Sequence, residues 1–140
     1  QKEYFLKEKL KAIQKELVAS ALSVTSGGLG IALAKACVGG MLGCNVSLAK
    51  VGLWQIGQSP TLAISVDAKL FSESQGRILV SVSPKNVNQF KKIIKNISHV
   101  RLGKTDKNDK IIIKDGKNKI IENDVKKLHT IYHSFSEKMK

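Results

Sequence analysis

The chain has 140 residues, 42% apolar but only 5% aromatic, with a formal net charge of +13. That length suits one domain with a core of Leu, Ile, Val and Ala, and no run approaches the roughly 18–20 apolar residues of a membrane span. The charge invites a nucleic-acid reading, but 22 of the 24 basic residues are lysines scattered among Asn and Ile, only Arg77 and Arg101 are arginines, and no zinc-finger spacing or stacking aromatic pair accompanies them.

In chain order, residues 1–18 read as a leading amphipathic helix that packs on the domain formed by residues 19–140. Leu6, Leu10, Ile13 and Leu17 recur at helical spacing between Lys and Glu. The opening Gln1-Lys2-Glu3-Tyr4 lacks both an initiator Met and the apolar stretch of a signal peptide, and reads as part of an excised segment. Ser26 is the expected N-cap of an apolar, deeply buried helix, and Gly39 or Gly40 its left-handed stop. Cys37 falls inside that helix as a small core residue. Cys44 is seven positions on with no His beside it, so the pair suggests reduced thiols in a cytoplasmic protein rather than a metal site. Cys44 to Leu48 alternates as a strand, and residues 49–60 read as a loop.

A short helix is expected over residues 61–70, then a polar turn from Phe71 to Arg77, then a buried strand from Ile78 to Val82. Ser83-Pro84 should cap and start a helix running to about Asn96. His99 to Leu102 reads as a strand, joined through Thr105 to Asp109 to a hairpin partner at Ile111 to Ile113, which turns at Asp115-Gly116. Asn123 is the expected cap of a last helix carrying Val125, Leu128, Ile131, Tyr132, Phe135 and Met139. His129 and His133 lie four apart on it with no third ligand nearby, which favours surface histidines. Strands separated by helices and finishing in a hairpin predict an α+β fold with α/β layers: a mixed β-sheet covered by helices.

Two motifs carry chemistry. Ser26-Gly27-Gly28-Leu29 opens a helix with no side chains screening its backbone N–H groups, a geometry that suits phosphate or simply makes a tight turn. Leu70-Phe71-Ser72-Glu73-Ser74-Gln75-Gly76-Arg77 gathers hydroxyls, a carboxylate, an amide and a guanidinium, either for a ligand or for local backbone capping.

In this order and about 45 residues apart, the two motifs resemble the C-terminal, PurM-type domain of formylglycinamidine ribonucleotide synthetase, the amidotransferase of purine synthesis. The resemblance covers roughly residues 10–140 and is strongest from Leu70 to Val82. It implies an enzyme that uses ATP and magnesium to phosphorylate the amide oxygen of formylglycinamide ribonucleotide. Ammonia from a glutaminase partner or domain then displaces the phosphate and leaves the amidine. It also implies a preceding N-terminal domain that supplies the ATP and metal ligands, so this segment alone should be inactive, hold no catalytic residue or metal, and bind no cofactor tightly. Such enzymes carry two copies of the domain, and the ending here resembles the second copy. The resemblance implies phosphate, nucleotide or substrate binding by Ser26, Gly27, Gly28, Glu73, Ser74, Gln75 and Arg77, with no nucleic acid or membrane partner.

The match departs from the family at one point. Members read His-Asp-x-Ser-Asp-Gly-Gly-Leu where this chain has Leu22-Ser23-Val24-Thr25-Ser26-Gly27-Gly28-Leu29, so the acidic groups are gone. Two alternatives stay open. One is a stand-alone basic module for anions or nucleic acid, since residues 85–140 hold 15 basic and 6 acidic residues. The other is a relative within the same ATP-dependent superfamily, of the aminoimidazole ribonucleotide or selenophosphate synthetase type.

Overall fold

Residues 11–51 and 64–139 are described by the computed structural model, and they fall into two units, each assembled from separated stretches of chain. Leu6, Leu10, Leu62 and most of the expected 49–60 loop lie outside the described residues.

The first unit joins the stretch ending at Ser23 to Ile78–Val100. Residues 11–14 are helical, with Ala12 and Leu17 buried. Strand β1 (Ser20–Ser23) follows, a strand that the sequence reading did not include. It pairs antiparallel with β3 (Ile78–Ser81), Ser20 opposite Ser81 and Ser23 opposite Ile78. The serine hydroxyls meet at 2.5 Å, and Ala19 N–H donates to the Ser81 carbonyl at 2.9 Å. A two-stranded ribbon has little to bury itself against, so Ile78 and Val80 are exposed, against the expectation of a buried strand. Pro84 does start a helical segment, but as a 3-10 turn (Pro84–Asn86) that runs into α3 (Val87–Ile93). The Ser83 hydroxyl caps nothing there; its carbonyl instead accepts from Asn86 N–H at 2.8 Å. Ile94 is buried, and Val87, Phe90 and Ile93 are half-buried.

The second unit joins Val24–Arg77 to the stretch from Arg101 onward. It contains α1 (Gly28–Gly40), β2 (Gly43–Ser47), α2 (Val66–Phe71), β4 (Gly103–Asp106), β5 (Lys110–Asp115), β6 (Asn118–Asp124) and α4 (Val125–Lys138). Its sheet runs β4-β2-β5-β6, with β2 parallel to β5 and both outer pairs antiparallel. This is the mixed, helix-packed α+β sheet that the element order predicts. Cys44 lies opposite Ile111 and Val46 opposite Ile113. Because side chains alternate along a strand, these four fall on one face. All four are buried, as are Leu29, Ala32, Leu33 and Cys37 of α1.

The hairpin differs from expectation. The segment after β4 does not fold it onto β5; β4 and β5 lie on opposite sides of β2, and the tight hairpin is β5–β6 around Gly116 (φ 63°). The strand expected at residues 99–102 begins instead at Gly103, and residues 118–124 are a strand that reading missed. The last helix is capped by Asp124, whose Oδ1 accepts from Lys127 N–H at 3.1 Å, while Asn123 belongs to β6.

Candidate functional site

Ser26, Gly27, Gly28, Glu73, Ser74, Gln75 and Arg77 all belong to the second unit, and the two motifs that hold them meet there across 46 positions. Thr25 to Gly28 forms the turn into α1, with Gly28 N–H donating to the Thr25 carbonyl at 3.1 Å. Gly27 (φ 84°) and Gly28 (φ 70°) both take the left-handed conformation that glycine adopts without strain. A second reason holds Gly28 in place. A Cβ there would stand 2.6 Å from the Leu70 carbonyl oxygen and 2.7 Å from Phe71 Cα, so the end of α2 lies directly on the start of α1. The glycines serve backbone-to-backbone packing as well as the turn.

Ser26 is not the N-cap. Gly27 occupies that position with no side-chain cap of its own, and Ser26 is exposed. The capping acceptor comes from the other motif: Glu73 Oε1 accepts from Gly27 N–H at 2.8 Å. A carboxylate at a helix N-terminus satisfies an orphan donor and sits favourably in the helix dipole. The far end of α1 also departs from expectation. Gly39 and Gly40 are helical, and the left-handed stop is Met41 (φ 49°), whose N–H turns back to the Cys37 and Val38 carbonyls. Leu42 N–H donates to the Cys37 carbonyl at 3.1 Å.

Glu73 is held by the geometry of its own loop. Helix α2 starts at Ser65, whose hydroxyl accepts from Ala68 N–H at 3.2 Å, and buries Leu70. The chain then turns from Ser72 to Gly76 (φ 82°). Arg77 Nη2 donates to the Ser72 carbonyl and, at 3.2 Å, to the Ser72 hydroxyl, closing the loop on itself. Its Nε and Nη1 are buried without a hydrogen-bond partner among the described residues, and burial lowers the guanidinium pKa. Ser74 is half-buried and Gln75 exposed. A half-buried ion pair that sequence reading missed, Lys69 Nζ to Asp115 Oδ1 at 3.1 Å, ties α2 to the end of β5. Its partners are 46 residues apart, so no local pattern announces it.

Cys37 and Cys44 are buried free thiols. The hydrogen bond from Cys37 to Cys44, reinforced by burial, pushes the Cys37 thiol far above its usual range. The His129 and His133 rings lie 4.2 Å apart, and His99 Nδ1 is 2.8 Å from the Ile97 carbonyl. Among the described residues no three His, Cys, Asp or Glu side chains gather to hold a metal ion. No helix among them is long and apolar enough to cross a membrane.

A mixed sheet packed with helices, joined to a glycine turn latched by a downstream carboxylate, defines an α+β module. The chain belongs to the family described as AIR synthase related protein, C-terminal domain, whose model matches residues 2–116. Within that family it is PurL-like. It is 33% identical over 125 residues to the phosphoribosylformylglycinamidine synthase subunit PurL of Thermococcus sibiricus, covering 89% of this chain and 16% of that protein. It is 32% identical over 124 residues to the same subunit of Methanococcus aeolicus, covering 88% of this chain and 15% of that one. Among solved structures, Thermotoga maritima PurL complexed with ATP shares the fold with a TM-score of 0.76 at 22% identity, over 90% of this chain and 21% of that one. The structure of PurLQS from Thermotoga maritima matches with a TM-score of 0.75 over the same shares. The chain thus spans about a sixth of the curated relatives it matches.

Proposed function

We propose that this chain is the C-terminal domain, in its second copy, of a cytoplasmic ATP-dependent synthetase. That synthetase converts formylglycinamide ribonucleotide and glutamine-derived ammonia into formylglycinamidine ribonucleotide. Family membership supports the enzyme class, and the contact between Glu73 and Gly27 N–H supports the site, because it makes one local structure of the two motifs that carry the resemblance.

The chemistry assigned to the whole enzyme is phosphorylation of the substrate amide oxygen by ATP, followed by displacement of that phosphate by ammonia. The described residues do not fit a magnesium site, since no cluster of three ligating side chains stands among them. In this reading the metal and ATP ligands come from a preceding N-terminal domain, and a glutaminase subunit or domain supplies ammonia. In this reading Gly27, Gly28 and Glu73 hold the turn. Ser26, Ser74 and Gln75 are the groups left to meet phosphate, nucleotide or substrate. Arg77, whose Nε and Nη1 are buried without a hydrogen-bond partner among the described residues, would reach it only if its loop opened. An anion reaching the α1 N-terminus must first displace the Glu73 carboxylate, which already occupies the position favoured by the helix dipole.

Two measurements test this. The 140-residue chain, given ATP, magnesium, ammonium and substrate, should form no amidine; turnover by the chain alone would overturn the proposal. Titration with ATP should move the Gln75 and Arg77 side-chain resonances, with the Gly27 amide responding strongly only in Glu73→Ala. Silence in both proteins would remove the ligand role from this site.

A further inference from the structure

We propose that the outer half of α4 is a docking surface for a neighbouring domain of the same synthetase, one offering an apolar groove rimmed by carboxylates. This rests on the reading above, in which the chain works inside a longer enzyme. At 3.6 residues per turn, Val125, Leu128, Ile131, Tyr132, Phe135 and Met139 share about one third of the helix circumference. Exposure climbs along that one stripe: Val125 is 0% exposed, Ile131 51%, Tyr132 61%, Phe135 67% and Met139 79%. The helix begins in the core, packed against α1 and β6, and its apolar face then continues where this unit does not cover it. A helix of 14 residues is only marginally stable through its backbone alone, so an amphipathic one of this length depends on what its stripe packs against.

The opposite face is already satisfied. The Thr130 hydroxyl donates to the Lys126 carbonyl at 3.0 Å, the Ser134 hydroxyl donates to the Ile131 carbonyl at 2.9 Å, and Lys126 Nζ pairs with Asp109 at 2.9 Å. Charge selects the occupant. Lys127 and Lys138 flank one edge of the stripe, and His129 and His133, their rings in tilted contact, lie toward the other. A second copy would bring the same lysines together on two chains of net charge +13, whereas carboxylates around a groove complement them. A further argument is length. About five-sixths of each curated relative lies outside the part this chain matches, so a synthetase of that kind has other domains to provide the groove.

The test titrates the full 140-residue chain, labelled at its N-terminus, with the Thermococcus sibiricus PurL subunit lacking the segment that this chain matches. Saturable binding is expected, weakened at least about tenfold by the pair Ile131→Ser and Phe135→Ser. Lys127→Glu with Lys138→Glu should weaken it several-fold, as should added salt. Circular dichroism should show both pairs folded. The proposal is overturned by absent binding or by binding indifferent to the serine pair. It is also overturned by a dimer of this chain that the serine pair dissolves, or by stripe-dependent capture on vesicles of phosphatidylserine and phosphatidylcholine without PurL binding. The two readings fail separately. Stripe-dependent docking that restores no ammonia-dependent turnover sinks the function and keeps the surface; restored turnover indifferent to the serine pair does the reverse.

Discussion

Helices α1 and α4 belong to the same unit and are nearly equal in length, 13 and 14 residues, but their surroundings are opposite. Helix α1 is built from small and apolar residues, buries Gly28, Leu29, Ala32, Leu33 and Cys37, and is tied at both ends, by Glu73 at the start and by the Met41 turn at the finish. Helix α4 buries Val125 alone and leaves four large apolar side chains of its stripe more than half exposed. Helix α1 turns the side bearing Leu29, Ala32, Leu33 and Cys37 inward, and at Gly28 it is small enough to be approached by the backbone of α2. A helix with one large apolar stripe is complete only when something lies along that stripe.

Four substitutions or conditions break or sharpen this contrast. Gly28→Val should cost about 3 kcal/mol, because it combines a left-handed backbone with a clash against the Leu70 carbonyl. Urea denaturation measures it, and a loss below a third of that would mean that α2 does not lie where the structure puts it.

Next in size, stability should fall as pH rises above the ordinary thiol pKa of about 8.5. The Cys37 pKa is raised in the folded state, so this thiol keeps its proton there while the unfolded chain ionises. Its partner Cys44, lowered by the same hydrogen bond, offsets part of the effect by ionising earlier in the fold. The Cys37 contribution is complete below the unfolded pKa and is lost at higher pH. Cys37→Ala should flatten the alkaline limb of a thermal-melt series, and an unchanged limb would remove the buried thiol pair as its cause.

Glu73→Ala should cost about 1 kcal/mol, the usual loss when a helix loses its N-terminal acceptor. Amide exchange at Gly27 should accelerate with it, and a protected amide in the variant would mean another acceptor takes over. Smallest of all, Ile131→Ser with Phe135→Ser should change the stability of the isolated chain by no more than about 0.5 kcal/mol, as exposed positions do. A loss of several kcal/mol would show that the stripe is already packed within this chain.

Much of this was legible in the residues. The strand at Cys44, the α2 and α4 helices and the burial of Cys37 follow from period and composition. So does the apolar helix before Cys44, which is buried on one side rather than deeply throughout, with Ile31 exposed. The motif at Leu70 to Arg77 carried the family. The misses differ in cause. Ser20 to Ser23 became a strand because a partner was available some sixty positions on, at Ile78–Ser81, whereas Asn118 to Asp124 pairs with its immediate neighbour Lys110–Asp115 through the Gly116 turn. Ser26 was the expected cap, yet the helix starts behind a left-handed Gly27, whose own N–H is met by the Glu73 carboxylate 46 positions away. Gly39 and Gly40 offered the cheaper left-handed stop, yet the chain turned at Met41, whose neighbours lead straight into β2.

What the order of residues determined alone was the class of fold, its apolar helices and the two motifs, because side-chain period and glycine placement act within a few residues. Strand order, the pairing of Gly27 with Glu73, the Lys69–Asp115 bridge and the exposure of the outer half of α4 were decided only by tertiary structure. Each is a relation between surfaces or between groups far apart in the chain, and such a relation has no energy until both sides are folded.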